Sequence, residues 1–172
     1  MGIDKEKLMT ITSKKLLLFS FLFLLCFLSI TTPDFISIQG IYPAWLILWL
    51  IPSSLEFGPI YGLFFGFCCG IFLDSMMVIE ATNIPGLLLI GFFVGRLDQK
   101  STPIELSLNF GLLAWISSFF LGISLLIQIY FNQDIYFGSQ LNYWAFYSIF
   151  SQSIITALLA PIICSWIKIL IK

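Results

Sequence analysis

The sequence predicts an all-α integral membrane protein of six transmembrane helices, and three observations predict it. Hydrophobic residues make up 59% of the 172-residue chain and charged residues only 10%, against about 25% charged in a soluble domain. The apolar residues gather into runs that suit a hydrocarbon layer about 30 Å thick, which takes roughly 20 residues to cross. All eight Lys and Arg residues fall on one side when six spans are drawn from a cytoplasmic N-terminus, as the positive-inside rule requires. Six spans use roughly 120 residues. Residues 1–172 therefore read as one polytopic membrane domain with no room for a soluble catalytic or binding domain.

The first span, 16–30, follows Lys14-Lys15. ITTPDF offers no small-x-small cleavage site and Cys26 lacks a lipoprotein signal, so the span is expected to be retained. The second, 36–51, carries Pro43 near its start and Pro52 at its end. The third, 57–73, is rich in glycine, and a short loop leads to the fourth, 84–95. The fifth covers 106–131; the sixth, 144–171, is long enough to tilt or kink at Pro161. With these spans Lys5, Lys7, Lys14, Lys15, Arg96, Lys100, Lys168 and Lys172 are inside, with both termini cytoplasmic. Asp34, Asp74, Glu80 and Asp134 fall in the outer loops.

Composition removes several chemistries. The chain has no histidine, which excludes His ligation and His proton relays. Cys26, Cys68, Cys69 and Cys164 lie in apolar runs without a CxxC pair, and read as small hydrophobes. A net charge of −1 and no basic patch offer nothing to nucleic acid. No catalytic residue, metal ligand or cofactor motif stands out.

The third span carries the most specific pattern. In GPIYGLFFGFCCGIFLD, Gly58, Gly62, Gly66 and Gly70 recur every four residues and the next step lands on Asp74. Helices in lipid associate through close packing, which small residues at this spacing permit. The stripe predicts that the third span is a central packing hub. Each step of four rotates the stripe by about 40°, so two neighbours at different heights are expected. Gly86, Gly91 and Gly95 make the fourth span the first partner, with packing inside the chain favoured over a surface left for another protein. Asp74 reads either as a boundary acid facing headgroups, which its position favours, or as a buried acid bonding neighbouring backbone or a partner. Glu56 reads as interfacial, Arg96 with Asp98 and Lys100 as a topology determinant, and Trp45, Trp49, Trp144 and Trp166 as belt anchors.

The order of these features resembles the MreD family of rod shape-determining proteins. The matching residues are Pro43, Trp45, Leu46 and Trp49 in YPAWLILW, then Gly62, Gly66, Gly70 and Asp74, then Gly86, and Gly95-Arg96-Leu97 in VGRLDQK. They cover about residues 40–100. One departure is Ala44, where many members have an acid. The resemblance implies a non-enzymatic multi-pass scaffold subunit of the bacterial inner membrane, in the complex that builds the lateral cell wall. Its implied partners are membrane lipids and an MreC-like bitopic protein, and through that protein MreB-like filaments and a peptidoglycan polymerase and transpeptidase. No small-molecule substrate is expected.

A competing reading is the substrate-binding subunit of an energy-coupling-factor vitamin transporter, also a small six-helix protein whose fold this chain is expected to share. Those subunits dock through small residues in the first span, where this chain has LLLFSFLFLLCFLSI. A lipid or polyprenol transporter would need a polar track, and the fifth and sixth spans supply only serines with Gln128 and Gln152.

Overall fold

The sixth span's proline and the second span's proline both sit inside continuous helices, and this shapes the whole arrangement. The computed structural model describes residues 20–31, 37, 39–76, 81–97, 103–132 and 139–171. It is all-helical, without a strand among the described residues. In chain order the helices are α1 (Ser20–Thr31), α2 (Trp45–Phe57), α3 (Pro59–Met76), α4 (Ile84–Gly95), α5 (Pro103–Asn132) and α6 (Ser139–Ile171). Stretches of α3, α5 and α6 are long and apolar enough to cross a membrane, and α1, α2 and α4 are shorter apolar helices. The protein is a helical membrane protein. Most basic residues used for the topology (Lys5, Lys7, Lys14, Lys15, Lys100 and Lys172) and the loop acids Asp34, Glu80 and Asp134 lie outside the described residues.

The second span departs most from expectation. It was drawn at 36–51, but α2 begins at Trp45 and runs through Pro52 to Phe57. Pro52 has no N–H, so the Leu48 carbonyl loses its helical donor. The thiol of Cys164 on α6 donates to that carbonyl at 3.3 Å. Cys164 is thus a buried partner of the carbonyl that Pro52 leaves free as well as a small hydrophobe. At the other end Pro43 precedes the helix. The Pro43 carbonyl accepts from Trp45 N–H at 3.0 Å, and the Ala44 N–H donates to the Thr156 hydroxyl of α6 at 3.0 Å.

The hub is α2 and not α3. Ten consecutive residues, Trp45 to Ser54, are buried, and α2 touches α3, α4, α5 and α6. Helix α3 buries only Gly62, Gly66, Cys69 and Gly70 and exposes Ile60, Tyr61, Phe64, Phe67 and Ile71. A stripe of small residues brings one side of a helix close to a neighbour and leaves its bulky side outward. A helix buried all round needs apolar groups on every side, as α2 has. For the same reason Trp45 and Trp49 are core residues, 4% and 2% exposed, and not belt anchors. Trp144 and Trp166 are exposed on α6.

Gly58 also leaves the stripe. It joins α2 to α3 with φ +90°, a conformation that L side chains rarely adopt, and a Cβ there would meet no atom within 4 Å. Its N–H donates to Ser54 O at 2.9 Å and its carbonyl accepts from Gly62 N–H at 2.9 Å. Pro59 then opens α3, where a missing N–H costs nothing.

Candidate functional site

Helices α3 and α4 close on each other backbone to backbone. A Cβ added to Gly62 would fall on the Gly91 carbonyl, and one added to Gly91 would fall on the Gly62 carbonyl. A Cβ on Gly66 would overlap the Leu87 carbonyl group, with Leu87 C at 2.9 Å, and one on Gly70 would stand 2.8 Å from Ile84 Cα. At the far end a Cβ added to Gly95 would stand 2.7 Å from Pro59 Cα and 2.8 Å from Gly58 C. Each step along α3 meets the preceding turn of α4, so the pair is antiparallel and in register over its length. Helix α4 supplies the nearest atoms at Gly62, Gly66 and Gly70, and α2 joins it beside Gly62, where an added Cβ would stand 3.1 Å from Ser54 Cβ; α2 is a second neighbour of α3 through Trp49 and Phe65 as well, their ring centroids 5.1 Å apart. Gly86 faces the other way, toward α5, where an added Cβ would stand 2.7 Å from Leu121 Cδ1.

Asp74 ends this seam with a specific bond. Its Oδ1 accepts the backbone N–H of Asn83 at 2.7 Å and the Asn83 side-chain amide at 2.8 Å. Asn83 is the N-cap of α4, 4% exposed, and makes no side-chain cap bond of its own. A carboxylate from α3 therefore stands at the positive end of α4 and does what a capping side chain does. Asp74 is half-buried, and its Oδ2 is buried with no partner. Of the two readings, bonding to neighbouring backbone is the one this geometry supplies. The loop is fixed a second time by Gln128 of α5, whose Oε1 accepts Thr82 N–H at 2.9 Å and whose Nε2 donates to Thr82 O at 2.9 Å.

Arg96 lies at the opposite end, exposed, its guanidinium 4.6 Å from the centroid of the Phe92 ring. Pro43 is in neither place. It lines a cavity of about 310 Å³ at the Asn83 end, with Ser29, Trp45, Asn83, Ser148 and Gln152 among the walls and every helix or its cap contributing. The structure thus joins Gly62, Gly66, Gly70, Gly91, Gly95 and Asp74 in one hairpin and puts Gly86, Pro43 and Arg96 at its margins. No group of three or more His, Cys, Asp or Glu among the described residues is placed to hold a metal ion.

Asn83 escaped the reading of the sequence, and Gln128 entered it only among the scattered polar residues of the fifth and sixth spans. Asn83 had a legible signal: TNIPG sets an N-cap residue before a proline in the first turn. Gln128 had none, because a lone glutamine in an apolar helix does not reveal which loop it meets. Comparisons with protein-family models, curated proteins and solved structures found no match.

Proposed function

We propose that this chain is a non-enzymatic scaffold subunit of the bacterial cell-elongation complex, set in the inner membrane with both termini cytoplasmic. The observation that supports this reading is the α3–α4 hairpin. Gly62, Gly66, Gly70, Asp74 and Gly95, five of the twelve residues that carry the resemblance to MreD proteins, come together in it as one packed unit. Its seam is closed backbone to backbone and leaves no room for a substrate, which suits a rigid platform. An MreC-like bitopic protein is the direct partner, linking the chain to MreB-like filaments and the peptidoglycan polymerase and transpeptidase.

The cavity of about 310 Å³ beside Pro43 and Asn83 favours a second reading, a vitamin-binding subunit, since ligand sites begin near this size. Gentle solubilisation and affinity purification of the full chain separates the two. An MreC-like protein is expected to co-purify. An ATP-binding cassette pair in its place, with thermal stabilisation by riboflavin, thiamine or biotin, would overturn the scaffold reading; a site filled at 100 times its Kd adds about 2.7 kcal/mol.

A further inference from the structure

The outward face of α4 is too short for an ordinary bilayer. Helix α4 has 12 residues, about 18 Å at 1.5 Å per residue, against about 30 Å of hydrocarbon. It is not sheltered as α2 is, for Pro85, Leu89 and Phe93 are exposed along it. Both of its ends are pinned by polar groups. At one end Asn83 and the exposed Thr82 are held by Asp74 and Gln128. At the other the Arg96 guanidinium lies back over Phe92, at the level of the last turn. On α3 the exposed apolar side chains run from Ile60 to Met76, about 24 Å by the same rise. The other side of the molecule is long. The apolar stretches of α5 and α6 have 23 and 27 residues, about 34 and 40 Å.

Length mismatch has an asymmetric remedy. A long helix fits a thin bilayer by tilting, but no tilt lengthens a short one. Here α4 is also locked in register to α3 and cannot slide. We infer that the α4 face binds a locally thinned bilayer, taking lipids with short acyl chains as its partner, while α3, α5 and α6 adapt by tilt. This does not depend on which proteins assemble with the chain.

The test places the purified full chain in dimyristoleoyl, dipalmitoleoyl, dioleoyl and dierucoyl phosphatidylcholine bilayers. The unfolding midpoint should be highest in the two shortest lipids and fall by several degrees toward dierucoyl. Hydrogen exchange should show that the loss begins in residues 81–97 and not in α5 or α6. Arg96→Leu lengthens the apolar face at one end and should move the optimum toward longer chains, whereas Phe93→Ala should leave it in place. A midpoint that is flat across the series or highest in dierucoyl lipid would overturn the inference, as would an optimum unmoved by Arg96→Leu.

Discussion

Two antiparallel helix pairs dominate the protein, and they are closed by different means. Between α3 and α4 the contacts are backbone on backbone, with Gly62 and Gly91 each facing the other's carbonyl. Between α5 and α6 the two glycines meet softer neighbours. A Cβ added to Gly122 would stand 2.6 Å from the Ile149 side chain, and one added to Gly111 would stand 3.3 Å from the Ala157 carbonyl oxygen and 3.6 Å from the Pro161 ring. The first pair has no rotamer with which to absorb a change, and the second has several atoms that can shift. Glycine count therefore says little about how tightly a seam is closed; what the missing Cβ would touch decides it.

The largest effect is expected at Gly66. Even alanine puts a Cβ into the Leu87 carbonyl group, so the helices must part along the whole seam. Overpacking costs typically about 1–3 kcal/mol, and a rigid backbone neighbour puts Gly66→Ala near about 3 kcal/mol. The sequence alone would make alanine mild, as a common interface residue in membranes; the backbone carbonyl beside Gly66 removes that expectation. Thermal unfolding of Gly66→Ala beside the parent chain in one lipid checks it. A midpoint shift no larger than that of Gly122→Ala would break the contrast between the two pairs.

Asp74 comes next, because it closes the end of the rigid seam. Asp74→Ala removes the acceptor of the Asn83 N–H and should cost about 1–2 kcal/mol, the range for a lost cap. Asp74→Asn keeps an oxygen in the same place and loses only the charge at the helix end, about 0.3–1 kcal/mol. Hydrogen exchange at residues 83–87 reads the cap directly. Faster exchange in Asp74→Ala than in Asp74→Asn is expected, and equal rates would mean that the carboxylate does not cap α4.

How far the sequence reaches follows the same division. The bounds 84–95 of the fourth span coincide with α4, because Asn83, Pro85 and the basic residue after Gly95 punctuate it. The third, fifth and sixth spans are recovered to within a few residues. The second is not. Pro52 looks like a stop, yet α2 runs past it, and the donor that meets the carbonyl it leaves free is a thiol at position 164 on another helix. Lipid also hides which apolar surface is inside. Phe64 is 61% exposed and Leu48 fully buried, yet both suit hydrocarbon, so hydropathy carries no signal that α2 is central. The stripe revealed that α3 has a close partner, but Gly58 fits its spacing and serves a turn instead.

The smallest effect is expected at Gly111, and it sharpens the comparison most. Pro161 leaves the Ala157 carbonyl without its helical donor, and Gly111 allows α5 to come close to that oxygen. A Cβ there would stand 3.3 Å from it and 3.6 Å from the proline ring, tight contacts that a shift of a few tenths of an ångström relieves. Alanine also returns part of the roughly 1 kcal/mol by which glycine disfavours a helix in water, though lipid enforces the helix in either case. Gly111→Ala should therefore change stability by less than about 0.5 kcal/mol, with α5 and α6 still paired. Gly111→Leu extends the test, since its branched end must displace the Pro161 ring and should destabilise by about 1–3 kcal/mol. Unfolding midpoints of Gly111→Ala, Gly111→Leu and Gly66→Ala in one bilayer give the order directly. If Gly111→Ala falls as far as Gly66→Ala, the α5–α6 seam is as rigid as α3–α4, and the distinction drawn from the neighbours of the missing Cβ fails.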